Sequence, residues 1–113
     1  MNAAAYQREV VLENFGDLGP AELGGFLRVV IEQFRVDLLA IAQGGEKAAH
    51  AALHRIAGSA PSVGCVGLGA LARASMASPP PTPPEVVPAI EDAMAWLEQL
   101  TDELNKDPKE LGR

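Results

Sequence analysis

Two histidines, His50 and His54, stand four residues apart, and Glu46 stands four residues before His50. Neutral imidazole is a nucleophile, and its ordinary pKa of about 6.5 leaves it largely unprotonated at cell pH. It can therefore carry a phosphoryl group covalently. Such a transfer depends on positioning and charge stabilisation more than on acid–base chemistry. Two histidines at helical i, i+4 spacing can also share a zinc ion, with Glu46 as a third ligand. No fourth ligand stands out, because the single cysteine, Cys65, reads as a small core residue. Glu46 is better placed as an exposed acid in a first helical turn, where the helix dipole favours it. No nucleophile–base pair, phosphate-cradling loop or converging carboxylate pair is apparent, so no turnover chemistry is expected. Ser59 reads as a helix-surface hydroxyl or as a hydrogen bond to the preceding turn.

The surroundings of His54 favour the phosphoryl reading. From Ala48 to Pro84 there is no Asp or Glu, while His50, His54, Arg55 and Arg73 lie in that stretch. By contrast, Glu85 to Arg113 holds eight acids and three bases. A phosphoryl group arriving at His54 would meet no carboxylate from its own segment. Gly58 lies one helical turn after His54, and glycine within a helix costs about 1 kcal/mol relative to alanine. The missing side chain would clear space beside the imidazole and let a partner approach.

These residues need a helix to hold them, and the sequence provides five helical segments and no convincing strand. The first spans about residues 4–15 and stops at Gly16. The second begins at Pro20, a residue suited to a first turn, and runs to about Gln43. Its apolar stripe is Leu23, Phe26/Leu27, Val30, Phe34, Leu38 and Ile41, stepping by three and four as one helix face requires. The third runs from Gly45 or Glu46 to about Val63, with Ala49, Leu53, Ile56, Ala60 and Val63 facing the core. His50, His54, Ala57 and Pro61 each follow a core position. At 3.6 residues per turn they form a parallel stripe at the rim of the buried face. Gly64 ends this helix. Pro61 removes the amide that would bond the Ala57 carbonyl, so the last turn should kink or loosen. The fourth helix covers about residues 66–77 with Leu68, Leu71 and Met76 inward. The run Pro79–Pro84 should be an extended, stiff connector within the domain. The fifth helix opens near Glu85, with Pro88 tolerated in its first turn, and reaches about Asn105. Its stripe includes Val86/Val87, Ile90, Leu97 and Leu104.

The resulting expectation is an all-α fold: an antiparallel four-helix bundle with an additional N-terminal capping helix. The 113 residues suit one domain, 1–113, with a short flexible tail after about residue 107. A net charge of −6 argues against nucleic acid as a partner. One cysteine allows no internal disulfide. The first residues do not resemble a signal peptide, and no apolar stretch is long enough to span a bilayer, so a soluble cytoplasmic protein without membrane partners is expected.

The segment His54-Arg55-Ile56-Ala57-Gly58-Ser59-Ala60-Pro61-Ser62-Val63-Gly64-Cys65-Val66-Gly67-Leu68 resembles the signature of histidine-containing phosphotransfer (HPt) domains. That signature is roughly His-x-Leu-Lys-Gly-Ser-[Ser/Ala]-x-x-[Leu/Ile/Val]-Gly-[Ala/Cys]-x-x-Leu. His54 falls on the phosphorylated histidine, Ile56 on the buried aliphatic, Gly58 on the glycine and Ser59 on the serine. Ala60, Val63, Gly64, Cys65 and Leu68 also match. The resemblance implies a monomeric carrier in multistep two-component signalling. It would take a phosphoryl group from a receiver-domain aspartate and pass it to another receiver, in a response regulator or a hybrid histidine kinase. The divalent metal of that chemistry belongs to the receiver, so no cofactor is expected here. With the rim stripe, which adds His50, the expected phosphosite surroundings and docking residues are His50, Arg55, Ala57, Gly58 and Pro61. There are two departures. Ala57 stands where the family has a lysine that offsets phosphate charge; Arg55 is close in sequence but angled differently around the helix, so Arg73 or another base would have to replace it. Pro61 is the other. A helical module that docks a receiver or kinase without accepting phosphate is the competing reading.

Overall fold

The computed structural model of the chain describes residues 5–106. The described residues form five α-helices and no strand: α1 (Arg8–Phe15), α2 (Pro20–Gln43), α3 (Gly45–Ser59), α4 (Val66–Ala77) and α5 (Val86–Lys106). A single 3-10 turn, Pro61–Val63, joins α3 to α4. The tail expected after residue 107 lies outside the described residues.

Prolines and glycines set most of these boundaries. Pro20 occupies the first turn of α2, with Glu22 beside it at the positive end of the helix dipole. Pro88 falls in the first turn of α5. Pro61 ends the α-helical hydrogen bonding of α3, and the chain tightens into the 3-10 turn as a loosened last turn requires. Gly64 then takes a left-handed φ of 81°, which glycine adopts without a Cβ clash. A Cβ there would also lie 2.5 Å from the Gln7 carbonyl oxygen and 3.1 Å from the Trp96 ring.

Helix α1 is shorter than its sequence suggests. Gln7 is extended, because its amide donates to the Gly64 carbonyl at 2.8 Å and so pulls the preceding backbone out of the helix. This bond ties the N-terminal segment to the turn after α3. Asn14 Nδ2 adds a second tie, donating to the Ser62 carbonyl at 2.9 Å. Tyr6 stacks on Trp96 with ring centroids 5.2 Å apart, and Phe15 meets Phe26 at 4.6 Å.

Helix α2 rests against α3 and α5, and α4 rests against the same two helices, while α1 sits on the 3-10 turn. The core between them includes Leu27, Phe34, Ile56, Ile90 and Leu97, all fully buried. Having two neighbours widens the buried arc of each helix beyond its apolar stripe. On α2, Ile31 and Asp37 are buried together with Leu23, Leu27 and Phe34, while Val30, Leu38 and Ile41 are only half-buried. On α4 the buried set is Leu68, Gly69, Ala72 and Ser75, and Leu71 and Met76 sit at its edge. No described helix is long and apolar enough to cross a membrane.

Candidate functional site

The core stripe of α3 seats the helix firmly: Ala49, Leu53, Ile56 and Ala60 are all buried. His50 and His54, each one position after a core residue, are exposed. The two imidazoles have different surroundings. His50 lines a groove of about 880 Å³ that the start of α3 forms with the proline run, alongside Ile41, Leu53, Pro80 and Val87. His54 is outside that groove and stands on open surface. Gly58, one turn further along, is also exposed, and a Cβ built there would meet nothing within 4 Å. The space beside His54 is therefore open to an incoming molecule.

Ala57 is not at the rim where helical spacing would put it. It belongs to the buried core. Next to it, α4 packs closely on the turn after α3: a Cβ at Gly69 would lie 2.6 Å from Pro61 Cγ, so only glycine lets α4 meet the 3-10 turn there. Pro61 is half-buried for the same reason.

Arg55 takes a different path from its neighbour. Its Nε and Nη2 each reach Asp37 Oδ1 on α2, at 2.8 Å. Gln33 Nε2 donates to the same oxygen at 3.2 Å. Asp37 is fully buried, and its Oδ2 has no hydrogen-bond partner among the described residues. A buried carboxylate that loses its cation is strongly destabilising, so Arg55 is held on the α2 side of α3. Nothing in the local sequence signals Asp37. It lies beside Leu38 on an apolar helix, and its partner is eighteen residues away.

Ser59 contributes its carbonyl, which accepts from Ser62 Oγ at 2.8 Å and closes the 3-10 turn. Cys65 is buried, and burial pushes its thiol pKa up to about 12, so it remains a protonated, unreactive core group. Among the described residues, no three His, Cys, Asp or Glu side chains gather as metal ligands. Arg73 is exposed on α4 and makes no ion pair among the described residues. Compared with protein-family models, curated proteins and solved structures, the chain has no match.

Proposed function

We propose that the chain is a histidine phosphotransfer module: His54 accepts a phosphoryl group from a receiver-domain aspartate and passes it to another receiver. In this reading the helices form an antiparallel four-helix bundle, α2 to α5, capped by α1 and acting as a monomer in the cytoplasm. The observation that carries it is an exposed imidazole on a well-seated helix with open space at Gly58 beside it. The HPt-like signature from His54 to Leu68 points to the same residue. The lone pair of the unprotonated ring nitrogen attacks phosphorus. The P–O bond to the aspartate breaks, and the carboxylate leaves with the electron pair. The protein turns over no substrate of its own and uses no cofactor, because the metal needed for the step is the receiver's.

A second reading draws on Ala57. A buried alanine where the family has lysine favours a module that docks a receiver without taking phosphate. One assay separates the two. A receiver domain charged with radiolabelled acetyl phosphate is mixed with the protein, which should acquire acid-labile, base-stable label. His54→Gln should abolish the label with an unchanged helical spectrum, and His50→Gln should keep it. Receiver binding without label would favour the docking module, and label on His54→Gln would refute the assigned site.

A further inference from the structure

The absence of a lysine at position 57 leaves a phosphoryl group on His54 without an obvious cation, and the structure narrows the candidates. Between Ala48 and Pro84 the permanent cations are Arg55 and Arg73. Arg55 is committed to buried Asp37. Lys47 lies on α3 two turns before His54, about 10 Å away along the axis, and helical side chains lean toward their own N-terminus, which takes it further off. Arg73 remains, exposed and without an ion pair among the described residues.

The contact between Gly69 and Pro61 sets where Arg73 stands. The α4 side carrying Gly69 is pressed onto the Pro61 ring. Arg73 follows Gly69 by four residues, so it rises from the same side of α4 one turn further on. A short turn joins the helices, and α4 returns along α3. One turn forward on α4 is therefore one turn back on α3, from Pro61 to the level of Ala57 and Gly58. His54 is the next turn. Ala57 is buried and closes the floor, while Gly58 leaves the space above it open.

We propose that Arg73, reaching across the gap at Gly58, is the cation that holds the phosphoryl group on His54. This assignment rests on the phosphotransfer reading. A guanidinium suits the role because it stays charged at any cell pH and presents paired donors to phosphate oxygens. It also explains how the family's lysine can be missing: the charge comes from the neighbouring helix. Gly69 and Pro61 then become positioning residues, since their contact sets the spacing between α3 and α4.

The test uses the whole protein and phosphoramidate, a small donor that needs no docking surface. The His54 lone pair attacks phosphorus, the P–N bond of the donor breaks, and ammonia leaves with the electron pair. Phosphohistidine is followed by phosphorus NMR. Arg73→Ala should slow labelling by about tenfold, a modest loss for a phosphate-binding arginine. Arg73→Lys should restore most of the rate. In wild type the rate should fall as salt is added, and in Arg73→Ala this dependence should flatten. Adding Ala57→Lys to Arg73→Ala should recover labelling if that variant keeps the wild-type helical spectrum. Wild-type rate and salt dependence in Arg73→Ala, with His54 still labelled, would overturn the Arg73 assignment and leave the phosphotransfer reading standing. No label on wild type from either phosphoramidate or a charged receiver would overturn both.

Discussion

The two flanks of α3 treat charge in opposite ways. On the α2 flank, Arg55 is locked to a buried carboxylate with two bonds of 2.8 Å to one oxygen. Away from that flank, His54 and Gly58 on α3 and Arg73 on α4 are exposed, and Arg73 has no carboxylate bound among the described residues. Adjacent residues in sequence, 54 and 55, therefore belong to different physical regimes. A paired, buried cation is a structural part. An exposed cation with no ion pair among the described residues can meet an anion from outside. A basic residue next to an exposed histidine in sequence is therefore not by itself available to it in space.

The largest expected effect is on stability, and it tests the α2 flank. Arg55→Ala strands the Asp37 charge. Fully buried pairs lose about 3–5 kcal/mol on such a change. Arg55 is 44% exposed, so the expected loss is about 2 kcal/mol after allowing for solvent screening. Urea denaturation followed by circular dichroism measures it. Arg73→Ala in the same experiment should change stability by less than about 0.5 kcal/mol, as surface substitutions do. Equal losses in the two variants would erase the contrast.

Gly64→Ala should cost a similar amount, about 2 kcal/mol, because it combines a left-handed φ with a clash against Gln7. This probes the turn that orients α3 against α4. Gly58→Ala probes the open flank and should act in the reverse sense. Its Cβ meets nothing, so the helix gains about 1 kcal/mol, while transfer from a receiver slows because the approach is narrowed. A more stable, poorly phosphorylated Gly58→Ala protein would separate a functional glycine from a packing one.

Much of this fold can be read in the sequence, for local reasons. Pro20, Pro61, Pro88 and Gly64 act through their own backbone geometry, and the α3 stripe acts through period alone. What depends on register between helices cannot be read that way. Asp37 finds Arg55 only because α2 and α3 align at those levels, and the burial of Ala57 depends on how the other helices pack onto α3. His54, Gly58 and their signature are local and visible. The standing of Arg55 and Arg73, one paired and one without an ion pair among the described residues, is a tertiary fact. It could not follow from their positions in the chain.

The smallest effect concerns Cys65. Its pKa in the folded protein, raised by burial to about 12, exceeds the unfolded thiol value near 9. The stability it contributes is full below the unfolded value. It is lost as pH rises from there through the folded value, because the unfolded chain ionises first. Replacing Cys65 with alanine should therefore flatten the alkaline limb of a stability–pH curve while leaving neutral-pH labelling of His54 in place. Iodoacetamide should modify Cys65 only in denaturant.

The ties of α1 carry a consequence for how the molecule opens. This helix is tied to the 3-10 turn by the Asn14 side chain, to α2 by the Phe15–Phe26 contact and to α5 by the Arg8–Glu103 ion pair, while the Gln7 amide and the Tyr6–Trp96 stack secure the segment before it. It is short, and only Val11 within it is buried. It is thus the unit expected to detach first in partial unfolding. Native-state hydrogen exchange should show α1 amides exchanging through a small opening that the core of α3 does not share, so the end of the histidine helix would be uncovered transiently while His54 keeps its seat.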